Sequence, residues 1–289
     1  MTWSIKDRTV VVTGGNSGIG FATATELASR GADVVLTVRD PEKGRAATDR
    51  IEAETGRIVT PMILDLASFT SIRSFVDELA SRRGRADVLV NNAGGYVSPR
   101  RSTADGYEWT MGVNHLGPFL LTCLLVSDPA TLPDRIINVA SEMHRSAKHD
   151  LEFNELEPSG RYRGTEAYAR SKLANILFTR ELARRLDGTD STTFAVHPGV
   201  VATRIAQDGD SRFVSLAWKA ASRWMRTPEE GAATSVYLAT ESDIEPLSGG
   251  YFSDEQLIEP SVAGLHDGTA ARLWDESVSA TGCRGLGVR

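Results

Sequence analysis

Short apolar runs alternate with longer amphipathic stretches along most of the chain. Thr9-Val10-Val11-Val12-Thr13 is β-branched and almost continuously apolar, the pattern of a strand buried on both faces. Beyond the glycine-rich Gly14–Gly20, the residues Phe21, Ala24, Leu27 and Ala28 recur at helical spacing. The same alternation places further strands at 33–38, 58–64, 87–90, 135–140, 192–197 and 250–252. Repeated strand–helix alternation predicts α/β architecture: a doubly wound, seven-stranded parallel sheet with helices on both faces. No tandem repeat, low-complexity tract or long linker interrupts the pattern, so residues 1–289 are expected to form one domain.

Two segments fall outside the alternation. Phe213, Leu216, Ala217, Ala220, Ala221 and Trp224 share one helical face, and Arg212, Lys219, Arg223 and Arg226 lie on the other. Residues 204–227 therefore read as a lid over an apolar substrate. The alternatives are plain surface packing or a basic, Trp-bearing helix touching a membrane. Residues 281–289 are glycine-rich and expected to fray.

Composition narrows the function classes. The formal net charge is −6, which offers no support for nucleic-acid binding. Met1–Arg8 has no apolar leader core, and no stretch reads as a membrane-spanning helix. The two cysteines, Cys123 and Cys283, show no disulfide framework, and Cys123 reads as a buried apolar residue. A cytoplasmic protein is the expectation. The five histidines show no zinc-site spacing, so no metal is expected.

The chemistry concentrates in two places. Tyr168 precedes Lys172 by four residues on an amphipathic stretch, so both can share one helical face. A nearby ammonium favours the phenolate and lowers the phenol pKa, which would suit Tyr168 to protonate a carbonyl oxygen or deprotonate an alcohol. A surface Tyr–Lys pair is the alternative. Gly14-Gly15-Asn16-Ser17-Gly18-Ile19-Gly20 sits between strand and helix, the context of a dinucleotide-binding loop. There the backbone can approach a pyrophosphate and the helix N-terminus offers free N–H groups. An ordinary tight turn is the alternative.

Together these features resemble the short-chain dehydrogenase/reductase family, with its Thr-Gly-x-x-x-Gly-x-Gly loop and Tyr-x-x-x-Lys pair. Asn91-Asn92-Ala93-Gly94, Asn114, Ser141 and Pro198-Gly199-Val200-Val201-Ala202-Thr203 follow in the family's order. Within the family, Asn114-His115-Leu116-Gly117-Pro118 and Ser171-Lys172-Leu173-Ala174-Asn175 are similar to the retinol dehydrogenase-like branch. The resemblance implies a Rossmann fold and an enzyme of the EC 1.1.1 type, often a homodimer or homotetramer in this family. It implies cofactor contacts from Gly14, Asn16, Ser17, Gly18, Ile19, Gly20, Asp65, Leu66, Asn91, Ala93, Gly94, Pro198, Gly199, Val201 and Thr203. For Asp65 the alternative is a helix cap.

Cofactor choice turns on the end of the second strand. An NAD site places a carboxylate there, whereas an arginine accepts the 2′-phosphate of NADP. Val38 and Arg39 occupy that end, which favours NADP(H) over NAD(H). Asp40 is the rival, but Asp40-Pro41-Glu42 reads better as a helix start. The implied reaction moves a hydride between nicotinamide and a carbonyl or alcohol, on a small hydrophobic molecule. Tyr168 would be acid or base, Ser141 would orient the carbonyl, Lys172 would tune the tyrosine, and Asn114 would hold a water. Tyr168 and Lys172 would also hold the nicotinamide ribose. Glu166, four residues beyond Tyr162, would raise that second tyrosine's pKa and leave it unsuited. His144 lines the substrate pocket or packs; His115 and His197 pack or hydrogen-bond loops. A non-catalytic NADP(H)-binding regulator and a carbon–carbon double-bond reductase are the alternative functions.

Overall fold

The structure is a computed structural model describing residues 3–147, 162–201 and 225–283. Among the described residues, eight strands form one sheet: β1 Thr9–Val12, β2 Asp33–Val38, β3 Thr60–Ile63, β4 Val88–Asn91, β5 Arg135–Val139, β6 Thr192–Val196, β7 Tyr251–Ser253 and β8 Gln256–Ile258. Their order is β3-β2-β1-β4-β5-β6-β7-β8, parallel throughout except the antiparallel β7–β8 pair. β8 corrects the seven-strand expectation. It is three residues long and largely exposed, so its two apolar residues, Leu257 and Ile258, are too short a run to read as a separate strand. Its turn, Asp254-Glu255, has positive φ at both residues without the glycine that usually announces such a hairpin. Seven of the eight strands match the sequence reading to within a few residues at each end. Ile58, read as strand, is exposed outside β3.

The period-two alternation of the strands divides the core. Val10, Val12, Val34 and Leu36 face a layer built from α1 (Gly18–Ser29), α2 (Pro41–Thr55) and α7 (Pro228–Thr240). Val11, Val35, Leu89 and Ile136 face the opposite layer. That layer comprises α3 (Phe69–Arg83), α5 (Gly117–Val126), α6 (Gly164–Arg185) and α8 (Asp267–Thr281). Local signals set the helix starts. Asp40 caps α2, accepting from Glu42 N at 3.0 Å and Lys43 N at 3.4 Å, with Pro41 in the first turn. This is the cap expected of Asp40. Ser68 caps α3, and Thr227 and Glu230 form a reciprocal capping box on α7.

Trp109–Val126 combines the three-residue α4 (Trp109–Met111), a π-helical turn at Gly112–Leu116 and α5. By length and mean hydropathy it reaches the range of a membrane span, which corrects the expectation that no stretch does. It is also 83% buried, so its apolar character is accounted for by the core that surrounds it.

Cys123 on α5 is buried, as expected, but it is joined to Cys283 by a disulfide across 160 residues. The expectation of two unpaired cysteines is thereby corrected, and with it the use of cysteine content as an argument for a reducing compartment. The pairing depends on the end of α8 docking against α5, which no local pattern reports. Tyr107 Oη donates to Ala280 O at 2.8 Å and Arg73 Nη2 to Thr281 O at 2.9 Å, so this end is held from two sides. The frayed-tail reading therefore fails for residues 281–283, and 284–289 lie outside the described residues.

Candidate active site

The sheet order reverses between β1 and β4, so the connections leaving those two strands diverge to opposite faces and open a crevice at the strands' carboxyl ends. A cavity of about 900 Å³ occupies it. Its floor at one end is the turn from β1 into α1. Gly14 has φ +67° and approaches Ala93 so closely that an added Cβ would lie 2.9 Å from the Ala93 Cβ. A Cβ on Gly20 would lie 2.4 Å from Asn92 Nδ2 and 2.5 Å from Gly14 O. Only glycine permits this packing, which brings the first turn of α1 to the cavity edge. Ser17, at the N-cap, makes no side-chain capping bond. The unpaired N–H groups of α1 thus face the crevice, a natural seat for a phosphate group. The residues present fit a dinucleotide.

At the end of β2, Thr37, Val38 and Arg39 line the cavity, while Asp40 is committed to capping α2. Arg50 and Glu54, from α2, line it too; the Arg50 guanidinium lies 4.3 Å over the Phe21 ring and 3.7 Å from Glu54. Asp65 and Leu66 lie along the wall as expected. Ser68, rather than Asp65, caps α3; the Asp65 carboxylate accepts from Ala67 N at 3.0 Å.

Asn91 does not line the cavity. Strand alternation turns it into the core, where Nδ2 donates to Asn138 Oδ1 at 2.8 Å and Thr122 Oγ1 at 3.0 Å. Asn92 takes the cavity position, anchored by Nδ2 to Thr13 O at 2.8 Å. Ala93 and Gly94 line the wall as expected.

The other end of the cavity carries the reactive side chains. Tyr168 and Lys172 lie on α6, and Ser141 follows β5. Lys172 is buried, with Nζ donating to Val139 O at 2.8 Å and lying 5.4 Å from the Tyr168 ring centroid. Burial lowers its pKa to about 8. The expected lowering of the Tyr168 pKa is not the outcome. Burial pushes the phenol up, and a hydrogen bond with Ser141 opposes that shift only in part. The sequence pattern showed the shared helical face but not the depth at which it lies. Ser141 Oγ also accepts from Met143 N at 3.2 Å.

Asn114 sits behind the wall rather than on it. Its Oδ1 accepts from Gly95 N at 2.8 Å, and Nδ2 donates to Gly95 O at 2.8 Å and Ser171 Oγ at 2.9 Å. The amide therefore bolts the loop after β4 to α6. It lies in the π-helical turn, an insertion often found at functional sites.

Pro198, Gly199 and Val201 line the cavity, and Thr203 lies outside the described residues, as does nearly all of the 204–227 lid. His197 Nδ1 accepts from Gly199 N at 3.0 Å, so His197 is a loop hydrogen-bonder. His115 is a packing residue against Phe119 and Phe178, and burial lowers its pKa to about 4. His144 is also buried and does not line the cavity. Tyr162 has its pKa raised to about 12 by burial first and by Glu108, to which its hydroxyl donates at 2.9 Å. The direction matches expectation, and the carboxylate responsible is Glu108 rather than Glu166. Tyr96, Trp109, Met143, Thr165 and Val200 also line the cavity, and sequence reasoning did not find them. Tyr96 packs edge-on to Tyr168, their ring centroids 6.1 Å apart.

Residues 14–244 match the family model described as Enoyl-(Acyl carrier protein) reductase. The chain is 44% identical over 284 residues to retinol dehydrogenase 12 of Homo sapiens, covering 98% of this chain and 87% of that one. It is similar to the crystal structure of an uncharacterized protein from Mycobacterium Paratuberculosis, with TM-score 0.78, 36% identity and coverage of 98% and 96% of the two chains. A blue fluorescent protein from a metagenomic library, solved in complex with NADPH, gives TM-score 0.66 at 29% identity, covering 87% of this chain and 97% of that one. With a parallel sheet reversing at β1/β4, a glycine cradle at that point and Tyr168 and Lys172 facing the same cavity, the chain belongs to the short-chain dehydrogenase/reductase family of oxidoreductases and is retinol dehydrogenase-like in sequence.

Proposed function

We propose that this oxidoreductase uses NADP(H) in preference to NAD(H) and interconverts a carbonyl and an alcohol on a small hydrophobic molecule, with Tyr168 as the acid/base. One observation carries the reading: Ser141, Tyr168 and Lys172 all line the cavity that the glycine cradle opens into. A nicotinamide nucleotide bound there supplies or accepts the hydride.

The chain's own groups do the rest. Ser141 donates to the substrate oxygen and holds it beside Tyr168. The raised phenol pKa keeps Tyr168 protonated near neutral pH, so it carries the proton the forming alcohol needs. Lys172 spends one N–H on Val139 O, which leaves its others for the nicotinamide ribose. Asn114 fixes the loop carrying Gly94 and Gly95. Arg39 and Arg50 at the opposite end support a 2′-phosphate, as does the diversion of Asp40 into a cap. Tyr96, which packs against Tyr168, and Trp109, Met143 and Val200 add apolar lining to the cavity, which favours a hydrophobic substrate.

The family model's description favours a second reading, reduction of a carbon–carbon double bond. The test is nucleotide oxidation, followed at about 340 nm, against aldehydes, ketones, quinones and enones, with NADH as control. Turnover that requires NADPH and the Tyr168 hydroxyl supports the main reading. An enone yielding a saturated ketone rather than an allylic alcohol supports the second. Binding of NADPH without turnover of any substrate would favour a regulator.

A further inference from the structure

Ser141 depends on a side chain that the proposed chemistry does not use. His144 ends one turn beyond it, and its ring is fully buried. Nε2 faces the backbone N–H of Ser261 at 2.9 Å. That N–H can only donate, so Nε2 must be the unprotonated nitrogen. The proton of the neutral ring is then on Nδ1, which lies 2.8 Å from the Ser141 carbonyl oxygen, a group that can only accept. Both ring nitrogens are satisfied, in one tautomer alone. The His144 backbone N–H adds a second bond to the same Ser141 oxygen, at 3.0 Å.

Ser261 supplies a firm anchor. It caps the 3-10 turn Val262–Leu265, and Gly264 of that turn packs closely on Ile176 of α6, the helix that carries Tyr168 and Lys172. Arg145 Nη2 makes a parallel tie to Glu259 O at 2.8 Å. The Tyr251 ring closes edge-on against His144, with centroids 5.2 Å apart. The ring thus joins the Ser141 turn to a segment already seated on α6.

We propose that His144, as the neutral Nδ1–H tautomer, is a positioning residue that holds the Ser141 hydroxyl in register with the Tyr168 phenol. The inference rests on the role given to Ser141 above. His144 touches neither substrate nor cofactor; it acts only through Ser141, and this dependence is what can be measured.

The experiment is a double-mutant cycle on the full chain, with nonanal and NADPH as the probe pair. His144→Leu should lower kcat about tenfold, since small misplacements of a reacting group are costly, while NADPH Kd stays within about twofold. In a Ser141→Ala background, the same substitution should change kcat by less than about twofold, because the group it positions is gone. Costs that multiply in the double mutant, or wild-type kcat in His144→Leu, would overturn the inference. A conservative pair guards against failure to fold. His144→Asn keeps a donor near the Nδ1 position, and His144→Gln keeps an acceptor near Nε2. Asn should retain about threefold or more kcat over Gln, and the reverse order would count against His144 acting through Ser141. Independently of turnover, ¹⁵N NMR should show His144 Nδ1 protonated and Nε2 bare; a protonated Nε2 contradicts the arrangement. Normal turnover in Ser141→Ala would remove the parent reading as well. Impaired Ser141→Ala beside unimpaired His144→Leu would remove this inference alone.

Discussion

The two ends of the cavity are built by different means. At the β1–α1 end the chemistry is mostly backbone: glycines too closely packed to carry a Cβ, and helix N–H groups brought to the edge. At the β5–α6 end it is side chains, each held by a contact far away in sequence. Lys172 leans on Val139, Asn114 on Gly95, and Ser141, through His144, on Ser261. A backbone site tolerates no added atom, and a side-chain site tolerates no lost one. Substitutions at the two ends should therefore fail in different ways.

The largest effect belongs to the side-chain end. Tyr168→Phe removes one oxygen, and kcat should fall by about a thousandfold or more while NADPH Kd moves only severalfold. Retained turnover, measured by nucleotide oxidation, would refute the acid/base role. Gly14→Ala is the counterpart at the backbone end. It adds one methyl group at φ +67°, against Ala93, and should weaken NADPH binding by roughly thirtyfold, as fluorescence titration would report. Unchanged Kd would mean that the cradle does not hold the nucleotide. Arg39→Asp sharpens the picture within that end. NADPH affinity should fall about tenfold or more and NADH affinity should hold, and equal effects on both would sink the 2′-phosphate assignment.

The smallest effect concerns the support beneath the side-chain end. His115 keeps its proton off until about pH 4 in the folded chain, against an ordinary 6.5. Between those values the unfolded chain binds the extra proton, so stability falls as pH drops. About 1 kcal/mol should be lost between about pH 7 and 5.5, and His115→Gln should flatten that slope in denaturant titrations. Identical slopes would clear His115 of the effect.

The same contrast explains what could be read without coordinates. Gly14, Gly18 and Gly20 announce themselves, because a backbone site has to be written in glycine. Tyr168 and Lys172 were legible through helical spacing, yet the burial that raises the phenol pKa was not. The Asn91/Asn92 reversal is a one-residue matter of strand facing, which a sequence read from a family pattern blurs. Arg50, Tyr96 and Trp109 reach the cavity only through the packing of α2, the β4 loop and α4, so no local signal marks them. His144 lies one helical turn from Ser141, and in sequence that nearness is equally compatible with a pocket position and with packing. Its partner, Ser261, is 117 positions away.

For Ser141, Tyr168 and Lys172, the Cys123–Cys283 bond gives the division a mechanical form. It makes a covalent ring of the chain from α5 to the end of α8, and β5, β6, β7, β8 and α6 lie inside that ring. The strands β1 to β4, with α1 to α3, lie outside it on an open thread. Pulled by its two ends, the molecule can pay out the nucleotide cradle to full length, but the ring shortens the remaining extension. A force–extension trace taken with and without a reductant should differ by that stored contour and by little else.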